Sequence, residues 1–486
     1  MERHRPEDQE AELTSPLAGF AVRDTGATHV TRVAARLLCA LGAREHADTS
    51  PAARVLVLRG GEDHDPVDDW AASGGMALTG EPNGPGRPVP GPVTTGLRGA
   101  AQAVAVLSEH IGRRVDLDGP ALVGERAAIA GLSRHGSVSP GGSCRLLPAR
   151  DGWLACNLAR PDDFAMLPAL TRRDVGGDPW GVLAAWARNV SATEIVERAA
   201  LLGLPFARVA TPQEAALEDG VVRGDGGSID PWIVTPGPLR ARDGRPFVVD
   251  LSALWAGPLC ASIVAEAGAD VVKVESPTRP DGARRGPRAF FDLMNAGKRS
   301  VCIDLRSDAL RVLLARADVV VESARPRVME HLGIEPAALV RDAGVVWVSI
   351  TGYGRTGPRR DRAAFGDDAA AAGGACAVIG DDGGPPLICA DAFADPVSGL
   401  HAALAALACL AGGRGALVDV ALRRGGTSLL TGAGSRRAGR PRPGIVASPP
   451  RARTPRGRGP ELGADTETVL AQVGVAERPC RVGHST

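Results

Sequence analysis

Between residues 247 and 350, short β-branched runs alternate with stretches of helical periodicity, and no other feature limits the fold so tightly. FVVDL (247–251) reads as a buried strand, ASIVAEAGA as a helix closed by Gly268, and DVVKVE (270–275) as the next strand. VCIDL (301–305), the helix SDALRVLLARA with Ser307 as its cap, DVVVES (318–323), a helix through EPAALVRDA, and VVWVSI (345–350) follow. Strands this apolar need cover on both faces, and the intervening helices supply it. The pattern therefore predicts an α/β fold with a Rossmann-like, doubly wound parallel sheet.

The chain is long enough for more than that sheet. Its 486 residues, 44% hydrophobic and 23% charged, are enough apolar chain for two or three cores and too little charge for a disordered protein. Net charge is +0, so nothing pulls the whole molecule toward nucleic acid or an anionic membrane, and an anionic ligand must be gripped locally. No stretch approaches the roughly 18 apolar residues of a spanning helix, and MERHRPEDQE is too polar for a signal peptide. The expectation is a cytoplasmic protein without nucleic-acid or membrane partners. Nine cysteines include no CxxC pair, which argues against disulfides and against a metal site.

An internal repeat sets the domain plan. DTGATHVTRVAARLLCALGA (24–43) aligns without a gap on DLSALWAGPLCASIVAEAGA (250–269). DWAASGGMALTG (69–80) and GPVTTGLRGAAQAVAVL mirror DDAAAAGGACAVIG (367–380) and ADPVSGLHAALAALACL. The chain thus reads as two degenerate copies of one unit in tandem. Residues 1–118 form a partial first copy, 119–210 a small α+β domain, 211–245 a surface linker, and 246–423 the fuller second copy. Residues 424–460, rich in Arg, Pro and Gly, read as disordered, and 461–486 as a helix and tail with Asp465 as cap.

Nearly every basic residue is arginine. Lys273 and Lys298 are the only lysines and Tyr353 the only tyrosine, which suggests places where a compact ammonium fits and a planar guanidinium does not. Lys273, Arg284, Arg285, Lys298, Arg299, Arg325 and Arg327 follow or lie near strand ends, where doubly wound sheets place their ligands. GYGRTG (352–357) matches a dinucleotide fingerprint, but Pro358 and charged residues follow in place of a helix, so nicotinamide binding is not expected.

Taken in order, VVDLSALWAGPLCASIVAEAGADVVKVESP, NAGKRSVCIDL, ADVVVESARPRVMEHLGI, VVWVSITGYGRTGP, FGDDAAAAGG and ADPVSGLHAALAAL resemble the class III (CaiB/BaiF type) CoA-transferases, a family that also contains α-methylacyl-CoA racemases. The resemblance implies movement of CoA from an acyl-CoA to a small carboxylic acid, with CoA as a substrate moiety and no permanently bound cofactor. It implies Asp395 as the nucleophile; by position, Lys298, Arg325 and Met329 as nucleotide contacts; and Tyr353 on the acyl or pantetheine channel. It implies a homodimer or, with two partial copies fused, an intrachain pseudo-dimer. The first copy has Gly91 where the second has Asp395, so only the second can use a carboxylate nucleophile. An Asp before Pro at a helix start also reads as an ordinary cap. Where racemases of the family carry a His-Asp pair, this chain has Gly366-Asp367-Asp368, which favours transfer and also fits a solvated turn. Ala253, Trp255, Ser323 and Ala324 depart from the family pattern, leaving epimerisation or noncatalytic acyl-CoA binding as alternatives. Oxyanion donors are then expected from backbone N–H groups around Gly373 and Gly374.

Overall fold

The strands foreseen between 247 and 350 lie side by side. In the computed structural model, which describes residues 15–46, 54–60, 63–220, 229–380, 383–430 and 443–475, they form the centre of a seven-stranded sheet. Its order is Arg299–Cys302, Asp270–Glu275, Phe247–Asp250, Val319–Glu322, Val346–Thr351, Arg414–Ala421 and Ile233–Leu239. All neighbours pair in parallel except the last, which runs antiparallel. The helices Ala256–Glu266 and Ala394–Gly412 cover one face, and Asp308–Arg316 and Pro336–Ala343 cover the other. The mixed α/β class with a parallel sheet is as expected.

The first half carries a smaller parallel sheet, with Phe20–Asp24 between Arg44–Glu45 and Arg54–Leu58. It does not have a core of its own. One apolar cluster runs from Leu17, Leu38 and Trp70 through Val104 into Leu259, Leu404 and Val418, so the two halves share a single interior. Ala394–Gly412 is a helix long and apolar enough to cross a membrane by composition, but 89% of that stretch is buried in this interior. Residues 144–208 add an antiparallel sheet of Cys144–Ala149, Gly152–Asn157 and Phe206–Arg208. Leu154, Leu170, Leu183 and Ile195 fill one of its faces. From the other, Cys144, Leu146 and Ala155 pack on Ala371, Cys376 and Ile388.

Two stretches expected to lack structure have it. Within the supposed linker 211–245, Pro212–Glu218 is a helix and Ile233–Leu239 is the edge strand of the main sheet. That strand tolerates Pro236 and Pro238 because it hydrogen-bonds to a neighbour on one side only. Of the segment expected to be disordered, 424–430 continues the helix Leu422–Leu430 and 431–442 lies outside the described residues, while 443–460 is an ordered strap. Its arginines find acids that are remote in sequence. Arg451 pairs with Asp118 in the first half, and Arg453 grips Glu125 at 2.6 Å (Nε to Oε1). Arg456 reaches Glu266 at 2.9 Å in the second half. The final helix forms at Thr466–Gln472, but the Asp465 side chain does not cap it: that carboxylate accepts from the Ser300 N–H at 2.8 Å and ties the helix to the sheet edge. Ser307 stands at its expected helix start but likewise makes no side-chain cap bond.

Candidate active site

The helix carrying Asp395 begins one residue earlier, at Ala394, and Phe393 occupies the cap position without a side-chain cap bond. Asp395 therefore sits inside the first turn and is not the cap. A carboxylate there lies where unpaired N–H groups and the helix dipole favour negative charge. The side chain is half-buried. It accepts from the Gly366 N–H, an approach that only glycine permits, since a Cβ on Gly366 would lie 2.5 Å from Asp395 Oδ2 and 2.4 Å from Ala392 O. Gly366→Ala is expected to displace the carboxylate and lower any reaction it performs at least about 10-fold, with native circular dichroism retained; unchanged turnover would remove this contact from the site.

Four further groups surround Asp395: three carboxyls and one guanidinium. Asp367 and Asp368, in the first turn of the helix Gly366–Ala372, are buried and do not form a solvated turn. Asp367 accepts from the Ala392 N–H at 2.9 Å, and Asp368 accepts from Asn157 Nδ2 at 2.9 Å and from the Phe365 N–H at 3.0 Å. Asp391 is fully buried and clasped by Arg126 through Nε to Oδ2 (2.9 Å) and Nη2 to Oδ1 (2.5 Å). The Arg126 guanidinium lies 5.7 Å from the centre of the Trp255 ring. Arg126 and Asn157 both come from residues 119–210, so that region meets the Asp395 neighbourhood directly.

Electrostatics follow from this crowding. Burial raises the Asp395 carboxyl, Arg126 opposes, and Asp367 and Asp391 raise it further, to about 7. Asp367 rises to about 6 for the same reasons, burial first, then Asp391, with Arg126 opposing. Burial holds Asp368 well above the usual carboxylate range in spite of the Asn157 bond. Near neutral pH the cluster therefore holds a carboxylate that is readily protonated and deprotonated, beside a fixed cation.

Several residues expected to bind a nucleotide are placed otherwise. Lys273 is fully buried, its Nζ 2.8 Å from both Ser252 O and Asp281 Oδ2. Lys298 is buried against Asp250 Oδ2 (2.8 Å), Pro258 O (3.1 Å) and Asn295 Oδ1 (3.1 Å). Burial alone would raise the Asp250 carboxyl, but Lys298 and Lys273 bring it below its ordinary value. The two lysines are thus internal counter-ions of the sheet, in spaces that suit a compact ammonium, and neither presents surface to a ligand. Met329 belongs to the apolar core under the sheet. Arg284 is paired with Glu275 (2.6 Å) and lies over the Phe291 ring, and Arg299 is paired with Asp270 (2.6 Å). The N–H groups of Gly373 and Gly374 donate to Ala369 O and Ala371 O, closing their own helix, and are not directed at a substrate.

Arg325 and Tyr353 remain accessible. Arg325 is half-buried, and burial followed by its neighbours Arg327 and Arg160 pushes its pKa down, with Arg279 adding to the same cationic surface. Tyr353 walls a cavity beyond the ends of Val346–Thr351 and Arg414–Ala421, together with Arg359, Asp419, Arg423 and Arg424. Ser323 bonds the Ala253 N–H at 3.1 Å, so two of the departures from the family pattern are partners of each other. Sequence reasoning missed Arg126 and Asp391. The four-residue spacing from Asp391 to Asp395 was a usable signal; Arg126 offered none.

Residues 247–443 match the model of CoA-transferase family III. Succinyl-CoA–D-citramalate CoA-transferase of Chloroflexus aurantiacus is 31% identical over 209 residues, covering 39% of this chain and 52% of that protein. An acyl-CoA transferase of Fusarium pseudograminearum is 35% identical over 211 residues, covering 38% and 46%. A solved CaiB/BaiF family protein from Brucella suis is 31% identical, covering 40% of this chain and 56% of its own, at a TM-score of 0.36. The chain spans about half the length of the curated relatives it matches.

Proposed function

Since the second half of this chain, residues 247–443, belongs to CoA-transferase family III, we propose that the protein moves CoA from an acyl-CoA to a carboxylic acid with Asp395 as nucleophile. The observation that carries this reading is a half-buried carboxylate in the first turn of a buried helix, held near neutral acidity beside Arg126. The Asp395 carboxylate attacks the thioester carbonyl and CoA leaves as thiolate, giving an aspartyl anhydride. The thiolate attacks the aspartyl carbonyl, the acyl group departs as a free carboxylate, and an aspartyl-CoA thioester remains. The acceptor carboxylate then attacks that thioester and expels the thiolate. The thiolate attacks the acceptor's carbonyl in the new anhydride, which releases the new acyl-CoA and restores Asp395.

We place the CoA phosphates at Arg325, Arg327 and Arg279, where Arg327 and Arg279 add their positive charge to that of Arg325, and the pantetheine arm past Tyr353. The two halves read as copies of one unit whose pairing occurs within the chain. Support comes from two helices of 19 residues, Val93–Ile111 and Ala394–Gly412, packed on one another, each reached through a short helix and a Gly pair.

Intact-mass analysis after incubation with a panel of acyl-CoAs tests the reading. An added CoA mass is expected on the protein and absent from Asp395→Asn; absence from the unmodified chain with every donor, while CoA is still retained, would instead identify a noncatalytic binder. Epimerisation is the second reading, favoured by the two carboxyls held near pH 6 and 7, Asp367 and Asp395. Deuterium entering the α-carbon without any acceptor acid would establish it.

A further inference from the structure

Asp391 lies in a backbone segment that is costly to hold. Ala390 and Ala392 on either side of it have φ of +51° and +44°, in the left-handed region that non-glycine residues seldom adopt. Three ties keep the segment in place. Thr79 Oγ1 accepts from the Ala390 N–H at 3.0 Å, Asp367 Oδ1 accepts from the Ala392 N–H at 2.9 Å, and Arg126 clasps the Asp391 carboxylate with two donors. Two of the three come from the first half of the chain. The next residues enter the helix, and Asp395 follows Asp391 by four positions.

The groups facing Asp395 are Asp367 from the neighbouring helix, with Asp368 beside it, Asp391 from the strained segment, and Arg126 from the helix Glu125–Ala130. Among these described residues Arg126 is the one cation. Its donors toward Asp391 are Nε and Nη2, which leaves Nη1 outside that clasp, and its side chain keeps 33% exposure. The helix bearing it is anchored in turn, because the adjacent Glu125 is gripped by Arg453 of the strap.

Resting on the function proposed above, we infer that Arg126 is a positioning residue for the nucleophile: contributed by residues 119–210, it clamps Asp391 at the strained entry to the helix that bears Asp395 and sets a guanidinium within that carboxyl cluster. A purely structural clamp would behave differently when its two partners are altered separately. Arg126→Gln removes the cation and leaves Asp395 among Asp367, Asp368 and Asp391, so Asp395 ionises at higher pH. Asp391→Asn removes a neighbouring anion and leaves Arg126 in place, so Asp395 ionises at lower pH.

The test is a carboxyl 13C titration of the full chain labelled at aspartate, with the Asp395 resonance assigned by Asp395→Asn. The midpoint should move up by about one pH unit in Arg126→Gln and down in Asp391→Asn, the size expected for loss of a neighbouring charge. Arg126→Lys, which keeps the charge but not the fork, should return the midpoint to within about a third of a unit. Midpoints that stay fixed, or that move the same way in both variants, overturn the inference. The titration needs no turnover, so its result stands apart from the mass experiment: a chain that forms no adduct yet shows the opposed shifts loses its proposed reaction and keeps the role of Arg126.

Discussion

Asp395→Ala is expected to lower CoA transfer by at least about 10³-fold, because it removes the group that forms both covalent intermediates. Acyl-CoA affinity should change little, since the cations proposed for the phosphates lie at Arg325, Arg327 and Arg279. In the unmodified protein the rate should decline as pH falls through about 7, where the Asp395 carboxyl takes up its proton. The sign follows from the chemistry: attack on a thioester needs the ionised form, and burial has raised the pH at which that form appears. Stopped assays of CoA exchange between pH 5 and 9 measure both effects. Residual transfer within tenfold of the unmodified rate would assign the covalent step to another group.

The second large effect concerns stability. Lys298→Met should cost about 3–5 kcal/mol, since it strands the buried Asp250 charge beside its one remaining ammonium, Lys273. Lys298→Arg should also destabilise, because the space between Asp250, Pro258 and Asn295 accommodates a point-like ammonium and the larger planar group must displace packed neighbours. As a control, Arg341→Gln removes half of an exposed pair with Asp342 and should leave the urea midpoint where it was. Equal midpoints for the three variants would mean that the buried ammonium contributes nothing to the fold.

The central sheet was readable because its signal is local: a buried parallel strand is a run of β-branched residues, and 270–275 or 319–322 needs no knowledge of its neighbours to be recognised. The chain's two lysines were read as nucleotide contacts, and the structure buries both. Proximity to strand ends does not say which way a side chain points, and here both point inward to Asp250 and Asp281. The strap was missed for a related reason. A run of arginines without acids looks solvated until folding brings Asp118, Glu125 and Glu266 beside it, and those partners lie hundreds of positions away. The same applies to Arg126, whose meaning depends on Asp391, 265 residues later. Asp395 was legible only through an ordered series of motifs; on its own it resembled a helix cap, a role the structure gives to the backbone at Phe393.

The strap also orders events in time. During translation its residues leave the ribosome after every element they fasten, so Glu125 and Glu266 wait with their counter-charges still inside the exit tunnel. Arg126 adjoins one of those waiting residues. The nascent chain can therefore assemble both sheets while the helix that bears Arg126 still lacks its fastening to the strap, a contact that forms only once residue 453 has cleared the tunnel.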